Sequence, residues 1–176
     1  MNSWYKCMHK NLINMLIAVH GYKYNLRSIL LLDGPELQST KIMKIQFNKI
    51  YYAQYNKKHY DQMIKNGAKN VYYGNVDNIV HKKYDIIYLD LTCTPCGNAN
   101  FNPIDMLFKI RKQTHIFVTF SLRGNPRVSR QDNINEIFKL KKHFNINYYH
   151  NEKLFSLDTE IKTYKRNMVL LFMKKK

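Results

Sequence analysis

The segment Asp90-Leu-Thr92-Cys93-Thr-Pro-Cys96-Gly-Asn gathers a carboxylate, two hydroxyls and two thiols directly behind the apolar run Tyr84-Asp-Ile-Ile-Tyr-Leu. Three kinds of chemistry are open to such a set. A carboxylate beside a hydroxyl can hold an amino or hydroxyl acceptor for in-line group transfer, a reaction in which the site mainly positions its reactants. Cys93 and Cys96, in Cys-x-x-Cys spacing, form a redox pair if a following helix N-terminus lends them thiolate character. The same pair is half of a zinc site. Placement weighs against redox chemistry, because three strand–helix units precede the pair and Pro126 does not lead into a strand. Zinc lacks its other two ligands, since Cys7 and the scattered histidines form no paired motif, and no metal is expected. The favoured reading makes Asp90 the acceptor-holding group, with Thr92 and Cys93 beside it. The plain alternative is that Asp90 caps its loop.

A second constellation is basic. Arg123-Gly-Asn-Pro-Arg127-Val-Ser-Arg130 places three arginines around a Gly/Pro turn, suited to gripping phosphates or simply to a solvated loop. Across the chain, 29 Lys and Arg stand against 12 Asp and Glu, a formal net charge of +17. Self-repulsion of that size points to a polyanionic partner, and nucleic acid leads. Single-stranded binding would let tyrosines stack on bases. RNA is favoured over DNA because no element reads as a groove-entering helix. Part of the lysine content also matches an AT-rich coding bias that shows in Asn, Ile and Tyr.

The elements that must position these groups alternate. Residues 4–20 repeat Trp4, Met8, Leu12, Met15, Leu16 and Val19 at helical spacing, and Gly21 ends the pattern. Strands are expected at 28–33, 50–54, 71–74, 84–90 and 115–120, and helices at 39–47, 57–66, 103–111 and 129–143. Two last strands, near 146–155 and 167–173, face each other as a hairpin. Strand runs apolar on both faces belong to parallel sheets covered by helices. The alternation therefore implies right-handed crossovers and a Rossmann-like, three-layer α/β/α class. In such sheets ligands bind beyond the carboxyl ends of the strands. Besides Asp90, those ends carry Asp33-Gly34-Pro35 after the first strand, Gln54-Tyr-Asn56 after the second, and Gly74-Asn75-Val-Asp77 after the third.

Five strand–helix units closed by a two-strand hairpin resemble the class I S-adenosylmethionine-dependent methyltransferases. The resemblance spans roughly residues 26–175, with residues 1–25 as an N-terminal helix packing on that domain. It implies a cofactor loop at Asp33, Gly34 and Pro35, ribose contacts from Gln54 and Asn56, and adenine contacts from Asn75 or Asp77. Each has a local alternative: a turn at 33–35, a helix cap at Asn56, a turn start at Asn75. The family pattern has more glycines than Gly34 alone, and an acid where Gln54 stands. Tyr84-Asp85-x-Ile-x-x-Asp90 with its small-residue loop is similar to the catalytic strand of nucleic-acid methyltransferases. Val118-Thr-Phe120-Ser has Phe120 where the RNA cytosine-5 enzymes carry a nucleophilic cysteine, so direct transfer to nitrogen or oxygen is the implied reaction. In its Asp-Gly-Pro and Thr-Phe-Ser-x-Arg segments the chain also resembles the short Rossmann-like methyltransferase homologues of large DNA viruses. The resemblance implies S-adenosylmethionine as cofactor. The missing glycines keep a second reading open, a catalytically inactive methyltransferase fold acting as a basic subunit beside a protein partner.

The length suits one domain able to bury a full core. Three cysteines are too few for a disulfide framework, and the apolar run Leu12–Val19 is interrupted by Asn14 and too short for a bilayer. An intracellular, reducing compartment is expected.

Overall fold

A computed structural model describes residues 3–91, 93–98, 100–164 and 167–176, with side chains from residue 10 onward. The chain forms a mixed α/β, Rossmann-like architecture with an eight-stranded sheet. By contact density it divides into two compact units, Met1–Ile79 with Tyr84–Ile86, and Val80–Lys83 with Ile87–Lys176.

The first unit contains helix α1 (Ser3–Lys23), strand β1 (Ser28–Leu31), helix α2 (Gln38–Met43), strand β2 (Lys49–Gln54), helix α3 (Lys57–Lys65), strand β3 (Val71–Tyr73) and a 3₁₀ turn at Val76–Asn78. Its strands are parallel and ordered β3-β2-β1. The Asp85 carboxylate accepts the Arg27 and Ser28 backbone N–H groups at 2.9 Å each, and Asp85 N–H donates to the Ser28 hydroxyl oxygen at 3.0 Å. The Tyr-Asp pair of the sequence therefore pins the start of β1.

Helix α1 packs on α2, and its buried line is Ile13, Asn14, Ile17 and Gly21. Met15 and Val19 of the expected stripe are 55% and 63% exposed. The reason lies at Gly21: a Cβ there would meet the Phe47 ring at 2.6 Å, so this glycine sets which face approaches. It does not end the helix, which continues to Lys23.

The second unit holds most of strand β4 (Ile86–Asp90), then helix α4 (Pro103–Lys109), strand β5 (His115–Ser121), helix α5 (Arg130–Leu140) and strands β6 (Phe144–His150), β7 (Lys153–Ser156) and β8 (Met168–Lys175). Their order is β4-β5-β8-β6-β7. β8 lies antiparallel between β5 and β6. The expected single strand over 146–155 is two strands joined by a two-residue turn, because Asn151 and Glu152 both adopt positive φ (46° and 61°). Two left-handed residues make the turn whose twist matches antiparallel strands.

Helix starts follow local rules. Asn102 caps α4 with Pro103 in its first turn, and Ser129 with Asp132 forms a reciprocal capping box on α5. The core of this unit includes the fully buried Phe117, Phe120 and Phe144. Among the described residues, no helix is long and apolar enough to cross a membrane.

Candidate functional site

Asp90 closes β4 and is half-buried. The buried Thr119 of β5 donates its hydroxyl proton to Asp90 Oδ1 at 2.7 Å, with the Leu91 carbonyl at 3.4 Å. A hydroxyl has one proton, and the shorter contact to a charged oxygen takes it. The carboxylate is thus fixed in direction by a group held inside the sheet. Tyr164 lies within electrostatic reach. Burial first, and the Asp90 charge second, hold its phenol protonated well beyond the ordinary range. The phenol is a donor and the carboxylate an acceptor, and a site offering both can orient a group bearing an N–H and a lone pair.

The loop after β4 is shaped by Gly97 (φ +65°), where a Cβ would come within 2.3 Å of the Phe101 carbonyl. Gly97 N–H closes a turn on the Thr94 carbonyl at 2.9 Å, and Ser121 N–H reaches the Cys93 carbonyl at 3.1 Å. Cys93 is half-buried; burial pushes its thiol up, opposed in part by a backbone hydrogen bond. Cys96 is pushed up by burial, then by Glu136 and Asp132, with Lys139 opposing. Helix α4 begins only at Pro103, so no helix follows the pair directly in the chain; Cys96 lies instead against the first turns of α5, its N–H reaching Asn133 Oδ1 at 3.4 Å. Thiols made less acidic lack the thiolate character of a reactive Cys-x-x-Cys. Among the described residues no cluster of three or more metal-ligating side chains occurs. Thr92 lies outside the described residues.

Arg123, Arg127 and Arg130 are all exposed. Asn125 folds their loop, accepting the Arg127 and Val128 N–H groups at 2.8 and 2.9 Å while its own N–H reaches the Val128 carbonyl at 2.8 Å. Arg130 is the first residue of α5.

In the first unit, Asp33 is 7% exposed and its carboxylate accepts four donors. These are Gly34 N at 2.9 Å, Ser39 N at 3.3 Å, Thr40 N at 2.9 Å and the Thr40 hydroxyl at 2.9 Å. The N-cap residue of α2, Leu37, has left-handed backbone and no capping side chain, so Asp33 caps the helix from a distance. Gly34 has no positive φ, and a Cβ there would meet only the Glu36 carboxylate at 3.1 Å. Pro35 offers its carbonyl to the Asn66 amide at 2.8 Å. Asn56 is the N-cap of α3, accepting His59 N at 3.1 Å, and Asn75 accepts Asp77 N at 3.1 Å. Gln54 is half-buried; its Oε1 accepts Asn56 N at 3.0 Å, and its Nε2 has no partner among the described residues. Asp77 is half-buried.

No protein-family model matches the chain, and no curated protein matches it. Solved structures do. The chain covers 98% of its own length and 99% of an S-adenosylmethionine-dependent methyltransferase from Clostridium acetobutylicum, at TM-score 0.60 and 11% identity. It matches the tRNA (m1A58) methyltransferase from Aquifex aeolicus at TM-score 0.53 and 17% identity, over 93% of this chain and 68% of that one. The fold is that of the class I methyltransferases. A plantazolicin methyltransferase solved with an analogue and SAH shares it at TM-score 0.58 and 15% identity, over 96% of this chain and 85% of that one.

In the first unit Gln54 presents a half-buried amide donor and Asp77 a half-buried carboxylate, group types that suit a hydroxyl and an amine. The loop at 33–37 has its backbone already fixed by Asp33. Asn56 and Asn75 are engaged by their own turns, so the local alternatives describe their side chains. Thr119 and Tyr164 were not singled out by sequence. Thr119 had one available signal, a lone hydroxyl inside the apolar run His115-Ile-Phe-Val-Thr-Phe.

Proposed function

We propose that the protein is an S-adenosylmethionine-dependent methyltransferase acting on a nucleic-acid nitrogen or oxygen, RNA rather than DNA. The observation that carries the reading is the Asp90 carboxylate locked by the buried Thr119 hydroxyl at 2.7 Å at the end of β4. S-adenosylmethionine, when bound, supplies an electrophilic methyl on a sulfonium. The work of this chain is to bind and orient. Asp90 accepts an N–H or O–H of the acceptor and so directs its lone pair. Thr119 is a positioning residue that keeps the carboxylate from rotating. Gln54 and Asp77 hold the adenosyl portion, and the exposed Arg123, Arg127 and Arg130 meet phosphates. Transfer to nitrogen or oxygen needs no enzyme nucleophile, in keeping with the buried Phe120 and with thiols held protonated.

A second reading has its own support: an inactive fold serving as a basic subunit of a complex. The Asp33, Asn56 and Asn75 side chains are engaged by their own backbone, and Gln54 brings no charge to a ribose. Calorimetric titration with S-adenosylmethionine, followed by methyl incorporation into RNA and DNA pools, separates the two. The first reading expects micromolar binding and incorporation that Asp90→Ala abolishes while RNA affinity stays. Equal incorporation by wild type and Asp90→Ala would refute the site, and no cofactor binding with or without RNA would establish the second reading.

A further inference from the structure

The first unit carries a group of side chains that methyl transfer does not use. β3 ends the strand order, and Tyr73 at its end is 52% exposed. The Tyr73 ring lies 5.3 Å from the Tyr60 ring of α3, tilted by 52°. The Lys57 ammonium sits 5.1 Å from the Tyr60 centroid and 5.7 Å from that of Tyr73, and Asp61 holds it at 2.6 Å. Tyr55, just before the helix, is 79% exposed. Lys57, Lys58, Asp61, Gln62 and Lys65 form a shallow, open surface along α3. Residues 55–73 contain four lysines, four tyrosines and a single acid, Asp61.

Folding does not ask for this arrangement. Tyr60 is half-buried, but the exposed Tyr55 and Tyr73 rings gain little from burial, and exposed cation–π contacts contribute weakly. Exposed rings beside a row of ammonium groups are what stacked bases and a phosphate chain require. A duplex hides its base faces, so a ring platform selects single strands.

We propose that the Tyr60–Tyr73–Lys57 face of α3 and β3 binds single-stranded nucleic acid, with bases on the tyrosine rings and phosphates along Lys57, Lys58 and Lys65. The proposal rests on the nucleic-acid reading above for its partner class and does not depend on methyl transfer. It adds a contact surface in the first unit to the Arg123–Arg130 loop of the second.

The test is fluorescence anisotropy on the full chain with labelled oligo(U) and oligo(dT) of about 15 nucleotides and with a duplex of equal length. Tyr60→Leu with Tyr73→Leu removes the rings while leaving the charge at +17, so any loss is not electrostatic. Phenylalanine at both positions keeps the rings, and thermal melting by circular dichroism verifies that each variant folds. The expected result is single strands bound at least tenfold more tightly than duplex, about tenfold or greater weakening in the leucine variant, and retention in the phenylalanine variant. Unchanged affinity in a folded leucine variant overturns the platform. If Arg123→Ala with Arg127→Ala then loses binding, the nucleic-acid reading survives without it. Failure of wild type to bind any oligonucleotide at low salt overturns both. Capture of phosphatidylserine vesicles in place of oligonucleotides, lost in the leucine variant, overturns the platform in favour of a membrane surface.

Discussion

Replacing Asp33 by Asn tests whether that carboxylate builds the loop or faces a ligand. In the structure both oxygens are engaged: Oδ1 by Gly34 N and Ser39 N, Oδ2 by Thr40 N and the Thr40 hydroxyl. An amide keeps one oxygen, so the Gly34 and Ser39 contacts survive. Its NH₂ group then points at Thr40 N, a donor facing a donor. Thr40 is buried, and water cannot replace the lost acceptor. Leaving one buried N–H unsatisfied costs about 1–3 kcal/mol. Losing charge assistance in the remaining bonds adds about 1 kcal/mol. The Thr40 hydroxyl keeps Tyr52 at 3.0 Å, which limits the damage there. The expected destabilisation is about 2–4 kcal/mol, read as a lower urea midpoint without cofactor. A loss below about 0.5 kcal/mol together with abolished S-adenosylmethionine binding would falsify the argument and return Asp33 to a ligand contact.

Two further outcomes follow from buried and titrating groups. The Asn14 amide is fully buried in α1, and neither Nδ2 nor Oδ1 has a partner among the described residues, so Asn14→Leu should raise stability by about 1–3 kcal/mol. Thermal melting reads this as an increase of several degrees, and a lower Tm would mean the amide has a partner. Cys93 and Cys96 both have their thiol pKa pushed upward, so the folded protein holds less thiolate at pH 7 than a free thiol, with its pKa of about 8.5. Iodoacetamide labelling should therefore be slow at neutral pH and rise only above the ordinary thiol range. Glu136→Gln removes a negative charge acting on Cys96 and should move its labelling midpoint down. Full reactivity already at pH 7 would revive the redox pair.

The strands were legible because β1, β4 and β5 are apolar on both faces, and a short continuous run admits few other readings. Local caps were legible because they stay within one segment: Asn56 and the His59 N–H it accepts are three residues apart. The failures are non-local or depend on backbone state. Nothing in Asp-Gly-Pro announces that Asp33 will cap a helix starting at Gln38, because the usual cap position holds a left-handed leucine. The break between β6 and β7 rests on two positive φ values, and Glu152 stands where glycine is the usual marker. The face of α1 was misread because the helix is oriented by the missing Cβ of Gly21 rather than by its largest side chains.

The candidate site divides along the same line. Asp90 stands out in the sequence by its place at the end of an apolar run, a property of one segment. What makes it a directed carboxylate is Thr119, 29 residues away on the neighbouring β5. A polar residue inside a buried strand must find a partner or incur the desolvation of its hydroxyl. Thr119 answers that demand with a carboxylate instead of a backbone carbonyl alone, so the direction of that carboxylate is set by a group buried in the sheet. Removing the hydroxyl while keeping the shape, as in Thr119→Val, should therefore leave the strand packed and free the carboxylate to rotate. A structural pair would be felt in melting; a positioning pair is felt in methyl transfer at constant melting temperature. That contrast ties the chemistry of the site to the packing that holds it.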